Sequence, residues 1–506
     1  TKNSMNIVIT FLCTLSFSSA FFLGKTSTLR HKYHYTNYRL QSSKLSSGDA
    51  ITIPLNEDPD SNTKIGAWIP IASAHSLAGL GPQKIRVMGI DLVVWNSGHE
   101  SHYDEKTSKD TSWSVMADVC PHRLAPLSQG RVDPETGCIE CPYHGWQFDT
   151  DGKLQRIPQA DESEIAPKKL KHAAVATHFA THLAGDLIFA FLPSSIHGEM
   201  FLQSMKPEDM FYTLRREMEQ NSIYFVRELP YSADFLIENF MDPAHIPFAH
   251  HGLQSFRSDA SSIPMNTFVS NFTHIEVSFE DFSRKKKRKG IVSFQRPTMY
   301  HYRTQINDSE EYRTALNIHV VPVEAGKSRI LYTFQISNWL PIWIQHAASN
   351  RFLNTDSWIH DAEYNTRKRS STSSPYILPT QSDFGVKAFR QWWVQHGFST
   401  APKNTFGPAD FTSLRLMDRR EQIDPWKNHS RQCASCRRAL KVIQRIQAGG
   451  LISSFASSIL LRYRPFLFLF TLSLSLGSYF ICKQLATVIE GSPFQSGYAD
   501  RSPSHT

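Results

Sequence analysis

The sequence predicts an α+β protein: an N-terminal antiparallel β domain, a second mixed domain, and a membrane helix near the C-terminus. Three observations predict it. Two Cys/His loops sit among short apolar strands. A run carrying two histidines and an aspartate follows them. Far downstream, Phe466 to Cys482 is uncharged over 17 residues. The chain has 506 residues, 41% hydrophobic and 20% charged, enough for two or three packed domains and unlike a disordered, collagen-like or repeat-built chain. Lys and Arg (54) outnumber Asp and Glu (46). Part of the excess is one run, Arg284-Lys285-Lys286-Lys287-Arg288-Lys289, which reads as a solvated loop or as a contact for anionic lipid or an acidic redox partner. No nucleic-acid-binding module is present in the pattern. Seven cysteines make no disulfide framework, and four of them fall in two local clusters.

Residues 1–20 read as a signal peptide region: an apolar core from Ile7 to Phe17 ends in Ser18-Ser19-Ala20. Residues 21–50 read as a transit-like segment, because Lys25 to Lys44 is rich in Ser, Thr, Lys, Arg and Tyr and lacks acidic residues. The Ser-Ala-Phe-Phe junction resembles the bipartite plastid signals of algae with secondary plastids.

The β domain is expected over 64–194. Its strands include Ile85–Met88, Asp91–Trp95, Trp146–Asp149 before the Asp151-Gly152 turn, and Leu187–Phe191. Between them stand Cys120-Pro121-His122 and, 18 residues on, Cys141-Pro142-Tyr143-His144. Two Cys and two His could hold zinc, but Cys-x-His is too tight for the common zinc knuckle, and each pair leads into a tight turn. A Rieske [2Fe–2S] cluster needs two thiolates on one iron and two imidazoles on the other, which Cys120, Cys141, His122 and His144 supply. Cys138 is read as a bystander. The paired motif resembles the Rieske domain of Rieske non-haem iron oxygenases.

The second domain is expected over 200–425, around Glu238-Asn239-Phe240-Met241-Asp242-Pro243-Ala244-His245-Ile246-Pro247-Phe248-Ala249-His250. His245 and His250 can face one metal if the helix bends at Pro247. Two His and one carboxylate leave positions open for O₂ on a mononuclear non-haem Fe(II). The carboxylate must come from downstream: Asp356 is the choice, with Asp361 and Glu363 as rivals, and His251 has the wrong spacing. Resemblance to the Rieske oxygenases implies that Asp242 bridges the iron-site histidine to a cluster histidine of a neighbouring subunit. Asn239 is expected to tune that route or the geometry of the site.

The stretch from Glu228 to Gly252 resembles the pheophorbide a oxygenase family of plastids, and the resemblance covers roughly residues 64–482. That family also contains chlorophyllide a oxygenase, protochlorophyllide-directed oxygenases and a translocon-associated Rieske protein. The resemblance implies a helix-grip-like catalytic domain, homotrimers, electrons from ferredoxin, and a chlorophyll-derived tetrapyrrole (pheophorbide a or chlorophyllide-like) as substrate.

Residues 429–440 carry Cys433-Ala434-Ser435-Cys436 after His429. A helix start with Arg431, Arg437 and Arg438 nearby would lower a thiol pKa and favour a reversible disulfide. The pair resembles a thioredoxin-type switch of the pheophorbide a oxygenase branch, which chlorophyllide a oxygenase lacks. The anchor is expected over 451–482, in one membrane element or in two with Leu451–Leu461. Basic residues from Arg437 to Arg464 place the preceding domain on the stromal side.

The expected function is a ferredoxin-fed monooxygenase, acting with O₂ on a tetrapyrrole at the plastid membrane. Two rivals stand beside it. One is a redox-sensing electron-transfer component of a plastid membrane complex, in which the mononuclear site is vestigial. The other is a Rieske oxygenase with a non-tetrapyrrole substrate.

Overall fold

The computed structural model describes residues 66–98, 112–161, 175–193, 223–281, 288–305, 311–333, 340–369, 376–396, 415–460 and 465–491. The expected signal and transit-like segments, and residues 284–287 of the basic run, lie outside the described residues.

The N-terminal region is built from short antiparallel strands: β1 (Gly66–Ser73), β2 (Gln83–Val87), β3 (Ile90–Asn96), β4 (Trp113–Ala117), β5 (Arg131–Val132), β6 (Ile139–Glu140), β7 (Gln147–Phe148), β8 (Leu154–Arg156), β9 (His178–Phe179), β10 (Thr181–Ala184) and β11 (Leu187–Pro193). They form sheets of order β1-β11-β10, β2-β3-β4-β9 and β5-β6-β7-β8. The last of these is a small four-strand unit that carries the second Cys/His loop. A separate apolar cluster of Val93, Trp95, Met116, Leu127, Ile139, Phe148 and Leu154 holds it to β3 and β4 and encloses both cluster-loop cysteines.

The second region centres on one seven-stranded antiparallel sheet. Its strands are β12 (Tyr224–Leu229), β13 (Met265–Ser270), β14 (His274–Asp281), β15 (Arg288–Gln295), β16 (Met299–Gln305), β17 (Tyr312–Glu324) and β18 (Lys327–Thr333), in the order β12-β18-β17-β16-β15-β14-β13. Along β14 buried and half-buried residues alternate, with Ile275, Val277 and Phe279 turned inward as the two-residue strand period requires. Arg288 and Lys289, the end of the basic run, open β15 instead of lying in a loop, and Arg288 is ion-paired to Asp281.

Among the described residues, four helices of eight or more residues follow or interrupt the sheet ahead of the C-terminal hairpin: α1 (Ala233–Phe240), α2 (Ile342–Asn354), α3 (Ile359–Arg369) and α4 (Phe384–Gln395). α4 grips the β13–β14 end through buried Val386, Phe389, Trp392 and Trp393. This is the helix-grip arrangement. A buried ion network ties α1 to α3 and α4: Asp234 pairs with Arg367 at 3.3 Å and Arg390 at 3.0 Å, and Glu238 pairs with Arg390. Such a network fixes relative position more than it adds stability, since burying the charges costs much of what their attraction returns.

The two regions share one continuous apolar core, running from Ile69, Phe189 and Leu192 to Phe225, Val320 and Leu331. The chain ends in a helical hairpin, α5 (Ala434–Leu460) and α6 (Pro465–Glu490). Phe466–Glu490 has a mean hydropathy of 1.6 and lies almost entirely exposed, so by length and composition it can cross a membrane. It runs past the expected end at Cys482. On α5, Leu451, Ile452, Phe455 and Ile459 are also exposed.

Candidate active site

The two Cys/His loops are equivalent turns. In the first, Cys120 N–H donates to Ala125 O at 2.8 Å and Leu124 N–H to Cys120 O at 2.9 Å. In the second, Cys141 N–H donates to Trp146 O at 2.9 Å and Gly145 N–H to Cys141 O at 3.0 Å. Each turn needs a left-handed residue at its fifth position, Leu124 at φ 60° and Gly145 at φ 70°. At Gly145 a Cβ would also come within 3.0 Å of Pro158.

The turns bury both sulfurs and hold both imidazoles at the rim. Cys120 and Cys141 are 1% and 3% exposed. His122 is exposed and stacks on Trp146 at 4.3 Å, and the two imidazole centroids lie 4.7 Å apart. Burial pushes the Cys120 thiol up to about 11, with Cys141 adding to the rise, so a thiolate here needs a cation beside it. The Nδ1 atom of His144 is buried without a hydrogen-bond partner. Two buried sulfurs and an orphaned imidazole nitrogen fit a [2Fe–2S] cluster. Cys138 is buried beside the loops, its N–H donating to Thr136 Oγ1, and belongs to neither turn.

The second constellation forms where α1 ends. A 3₁₀ turn, Pro243–His245, runs into the short helix Ile246–Ala249, with Pro247 in its first turn and His250 at its C-terminal cap. The Asp242 carboxylate caps the 3₁₀ turn by accepting from Ala244 N–H at 2.9 Å. The break in helical direction that Pro247 permits turns His245 and His250 toward one point. Asp356 reaches that point from the turn between α2 and α3, so that donor atoms of His245, His250 and Asp356 all lie within 4.8 Å of one another. His250 Nε2 is 3.5 Å from Asp356 Oδ2.

The rival carboxylates are engaged elsewhere. Asp361 accepts from Gln422 at 3.2 Å, and Glu363 binds Ser232 and Arg367. His251 is exposed and accepts from Arg257 N–H.

Hydrogen bonding fixes both imidazole tautomers. Nδ1–H of His245 donates to the Asp242 carbonyl, which can only accept. The Thr355 hydroxyl gives its proton to Phe352 O at 2.6 Å, so at 2.8 Å it must accept from His250 Nδ1–H. Both Nε2 lone pairs are thereby free for a metal, the arrangement in which a partner on the other nitrogen orients a ligating histidine. Thr355 carries no sequence signal; only its adjacency to Asp356 hints at it.

Burial and the neighbouring His245 hold His250 well below its ordinary pKa, so it is neutral and ready to ligate. Asp356 is pushed up to about 6 by burial, which His245 and Asn239 partly offset. Asp356 Oδ1 is buried without a hydrogen-bond partner. An unsatisfied buried carboxylate oxygen facing the His245 ring and the neutral His250 fits a divalent iron. Burial likewise raises the Asp242 carboxyl.

A cavity of about 240 Å³ opens over this group, lined by Phe240, Tyr300, Tyr302, Leu316, Tyr332 and Phe352 among others. Asp242, His245, His250 and Asp356 form part of its wall, and Arg288 and Arg313 also face it.

Fold and site together define a Rieske non-haem iron oxygenase, with a [2Fe–2S] cluster and a mononuclear iron. The Rieske [2Fe-2S] domain family matches residues 67–177, and the pheophorbide a oxygenase family matches residues 294–373. Flavonoid 8-hydroxylase 2, chloroplastic, of Ocimum basilicum is 30% identical over 412 residues, covering 76% of this chain and 75% of the relative. Protochlorophyllide-dependent translocon component 52, chloroplastic, of Arabidopsis thaliana is 29% identical, covering 75% and 74%. Pheophorbide a oxygenase, chloroplastic, of Oryza sativa subsp. japonica is 29% identical with the same coverage. The chain belongs to the pheophorbide a oxygenase family of Rieske oxygenases.

Cys433 and Cys436, expected as a redox pair, are 1% and 2% exposed and stand against two buried histidines, His346 and His429.

Proposed function

We propose that the protein is a monooxygenase that inserts one oxygen atom from O₂ into a chlorophyll-type tetrapyrrole at a plastid membrane, with electrons drawn from ferredoxin. The observation that carries this reading is the aromatic cavity standing directly over His245, His250 and Asp356. The overall balance is substrate C–H plus O₂, two electrons and two protons, giving C–OH and water. When bound, the cluster supplies single electrons and the mononuclear iron supplies dioxygen activation.

The chain's own residues do the rest. Cys120, His122, Cys141 and His144 hold the cluster, and His245, His250 and Asp356 hold the iron. Asp242 fixes His245 through its carbonyl, while its half-buried carboxyl sits where a bridge to a cluster histidine of a neighbouring subunit would start. That neighbour is a second copy in a homotrimer. The exposed rim of Leu124 and Tyr143, with Arg123 over the Tyr143 ring, offers each cluster a docking surface. Asn239 holds its amide toward Asp356. Buried Tyr300 and half-buried Tyr302 line the cavity that takes a planar substrate, and Arg313 on β17, another lining residue, supplies a cation for a peripheral carboxylate. The exposed apolar faces of α6 and the end of α5 lie in the plastid membrane, with the catalytic domain facing the stroma, and an apolar substrate reaches the cavity from there.

A second reading is favoured by two observations. The flavonoid hydroxylase is as similar as the pheophorbide a oxygenases. A cavity of about 240 Å³ is also small beside the usual ~300–1,000 Å³, so it holds one edge of a macrocycle but most of a flavonoid-sized molecule. The test is turnover of the full chain in detergent with reduced ferredoxin under ¹⁸O₂. Pheophorbide a, chlorophyllide a and protochlorophyllide are compared with flavones. A tetrapyrrole product carrying one ¹⁸O supports the proposal. A labelled flavone with no tetrapyrrole product replaces it by the second reading. Cluster reduction without any labelled product returns the electron-transfer rival.

A further inference from the structure

Four side chains from two distant parts of the sequence meet where the C-terminal hairpin joins the catalytic domain. His346 lies on α2, His429 ends a short turn after Asp424, and Cys433 and Cys436 stand at the start of α5. All four are buried, between 1% and 4% exposed. His429 Nε2 is 3.1 Å from His346 Nδ1. Cys433 Sγ is 3.4 Å from His346 Nδ1, and Cys436 Sγ is 3.6 Å from the same atom and 3.4 Å from His429 Nε2.

Those separations are edges of a coordination tetrahedron. Zinc–sulfur bonds of about 2.3 Å and zinc–nitrogen bonds of about 2.0–2.1 Å set N···N edges of about 3.3 Å and S···N edges of about 3.5 Å. The four observed edges lie within about 0.3 Å of these values.

The surroundings suit a ligand set as well. Nδ1–H of His429 donates to Val226 O at 2.6 Å, which leaves the Nε2 lone pair facing the sulfurs. Phe225 stacks on His429 at 4.6 Å and meets His346 edge-on at 5.2 Å. Trp343, Leu440 and Ile443 close the apolar shell. Four protein donors in a closed apolar shell leave no position for a substrate or water, which is how structural zinc sites differ from catalytic ones.

We propose that His346, His429, Cys433 and Cys436 bind one structural zinc ion. The ion joins α2, whose C-terminal turn presents Asp356, to β12 through Val226 and to the first turn of the hairpin. Zinc loss therefore frees the hairpin from the element that carries the iron's carboxylate.

The experiment is metal analysis and zinc K-edge absorption on the full-length protein in detergent, purified under reducing conditions from zinc-containing medium. The expected result is about one zinc per chain beyond the iron, with two sulfur and two nitrogen neighbours at the distances above. A Cys433→Ser/Cys436→Ser variant should lose the zinc and keep the Rieske EPR signal. His250→Ala should lose mononuclear iron and keep the zinc. Because the double variant can misfold, a second measurement uses the unaltered protein: a mercurial thiol reagent should release zinc, read with a chromogenic chelator, in proportion to the thiols it blocks. Three results would overturn the proposal: no zinc with Cys433 and Cys436 recovered as a disulfide, zinc without sulfur neighbours, or an additional iron in the two-sulfur, two-nitrogen environment.

Discussion

Among the described residues, two groups of side chains come close enough to hold a single ion, and they differ in what surrounds them. His245, His250 and Asp356 offer three donors, an unsatisfied carboxylate oxygen and a cavity on one side. His346, His429, Cys433 and Cys436 offer four donors, two of them sulfur, in an apolar shell. The first is open and hard, suited to iron and O₂; the second is closed and soft, suited to zinc. What separates chemistry from scaffolding here is the missing fourth donor and the empty space it leaves.

The largest effect should come from removing a donor at the open site. His250→Ala leaves two donors, and we expect loss of the mononuclear iron and a fall in turnover of at least ~10³-fold, on the scale of losing an essential catalytic group. Iron should drop from about three to about two per chain while the reduced Rieske EPR signal is unchanged. Iron retained at three would show that the ligand set is drawn wrongly and break the comparison.

Next is Asp242→Asn. It keeps the backbone carbonyl that orients His245, so iron stays bound, but it removes the ionisable carboxyl beside it. We expect turnover to fall by ~10–100-fold, the usual cost of altering a group that supports a ligand, with metal content unchanged. Normal turnover would remove Asp242 from the electron route.

How much of this contrast the sequence shows depends on how far apart the partners lie. Cys120, His122, Cys141 and His144 are legible because each loop is a local turn with a fixed hydrogen-bond pattern. His245 and His250 are legible because Pro247 between them forces the needed bend. Asp356 is harder: its neighbours Asp361 and Glu363 are as acidic, and only their long-range hydrogen bonds, from Gln422 and Ser232, separate them from it. His346 is not legible at all. It lies 83 residues before His429 in a helix with no motif, and Cys433-x-x-Cys436 without it reads as a redox pair. The antiparallel strands and apolar terminal helix follow from alternation and composition. The order of the seven-stranded sheet depends on long-range pairing such as β12 with β18, which no local pattern encodes.

Thr355→Val tests the open site more gently. It removes the acceptor for His250 Nδ1–H and frees the ring to turn. Iron affinity should weaken by ~10–100-fold, with zinc content and the cluster signal unaffected. Unchanged affinity would mean that packing against Phe352, stacked 4.2 Å from His250, is enough to orient the ring.

The smallest effect is a pH dependence that the two sites should not share. In the metal-free fold Asp356 holds its proton up to about pH 6, against 3.8 for an ordinary aspartate, because burial disfavours the charge. The folded state therefore binds this proton more tightly than the unfolded chain. As pH rises from 3.8 to about 6, the metal-free protein loses stability on account of this group, and above that window the loss is complete. Iron needs the carboxylate, so its affinity should rise about tenfold per pH unit toward pH 6 from this proton alone, then lose that contribution to the slope. Fe(II) titrations of metal-depleted protein between pH 5 and 7.5, with Asp356→Asn as control, read it directly. The control should bind iron weakly and without that break in slope. A break that survives in the control would assign the titration to another group, and the carboxylate would then owe its place at the iron to geometry rather than to a proton that the metal displaces.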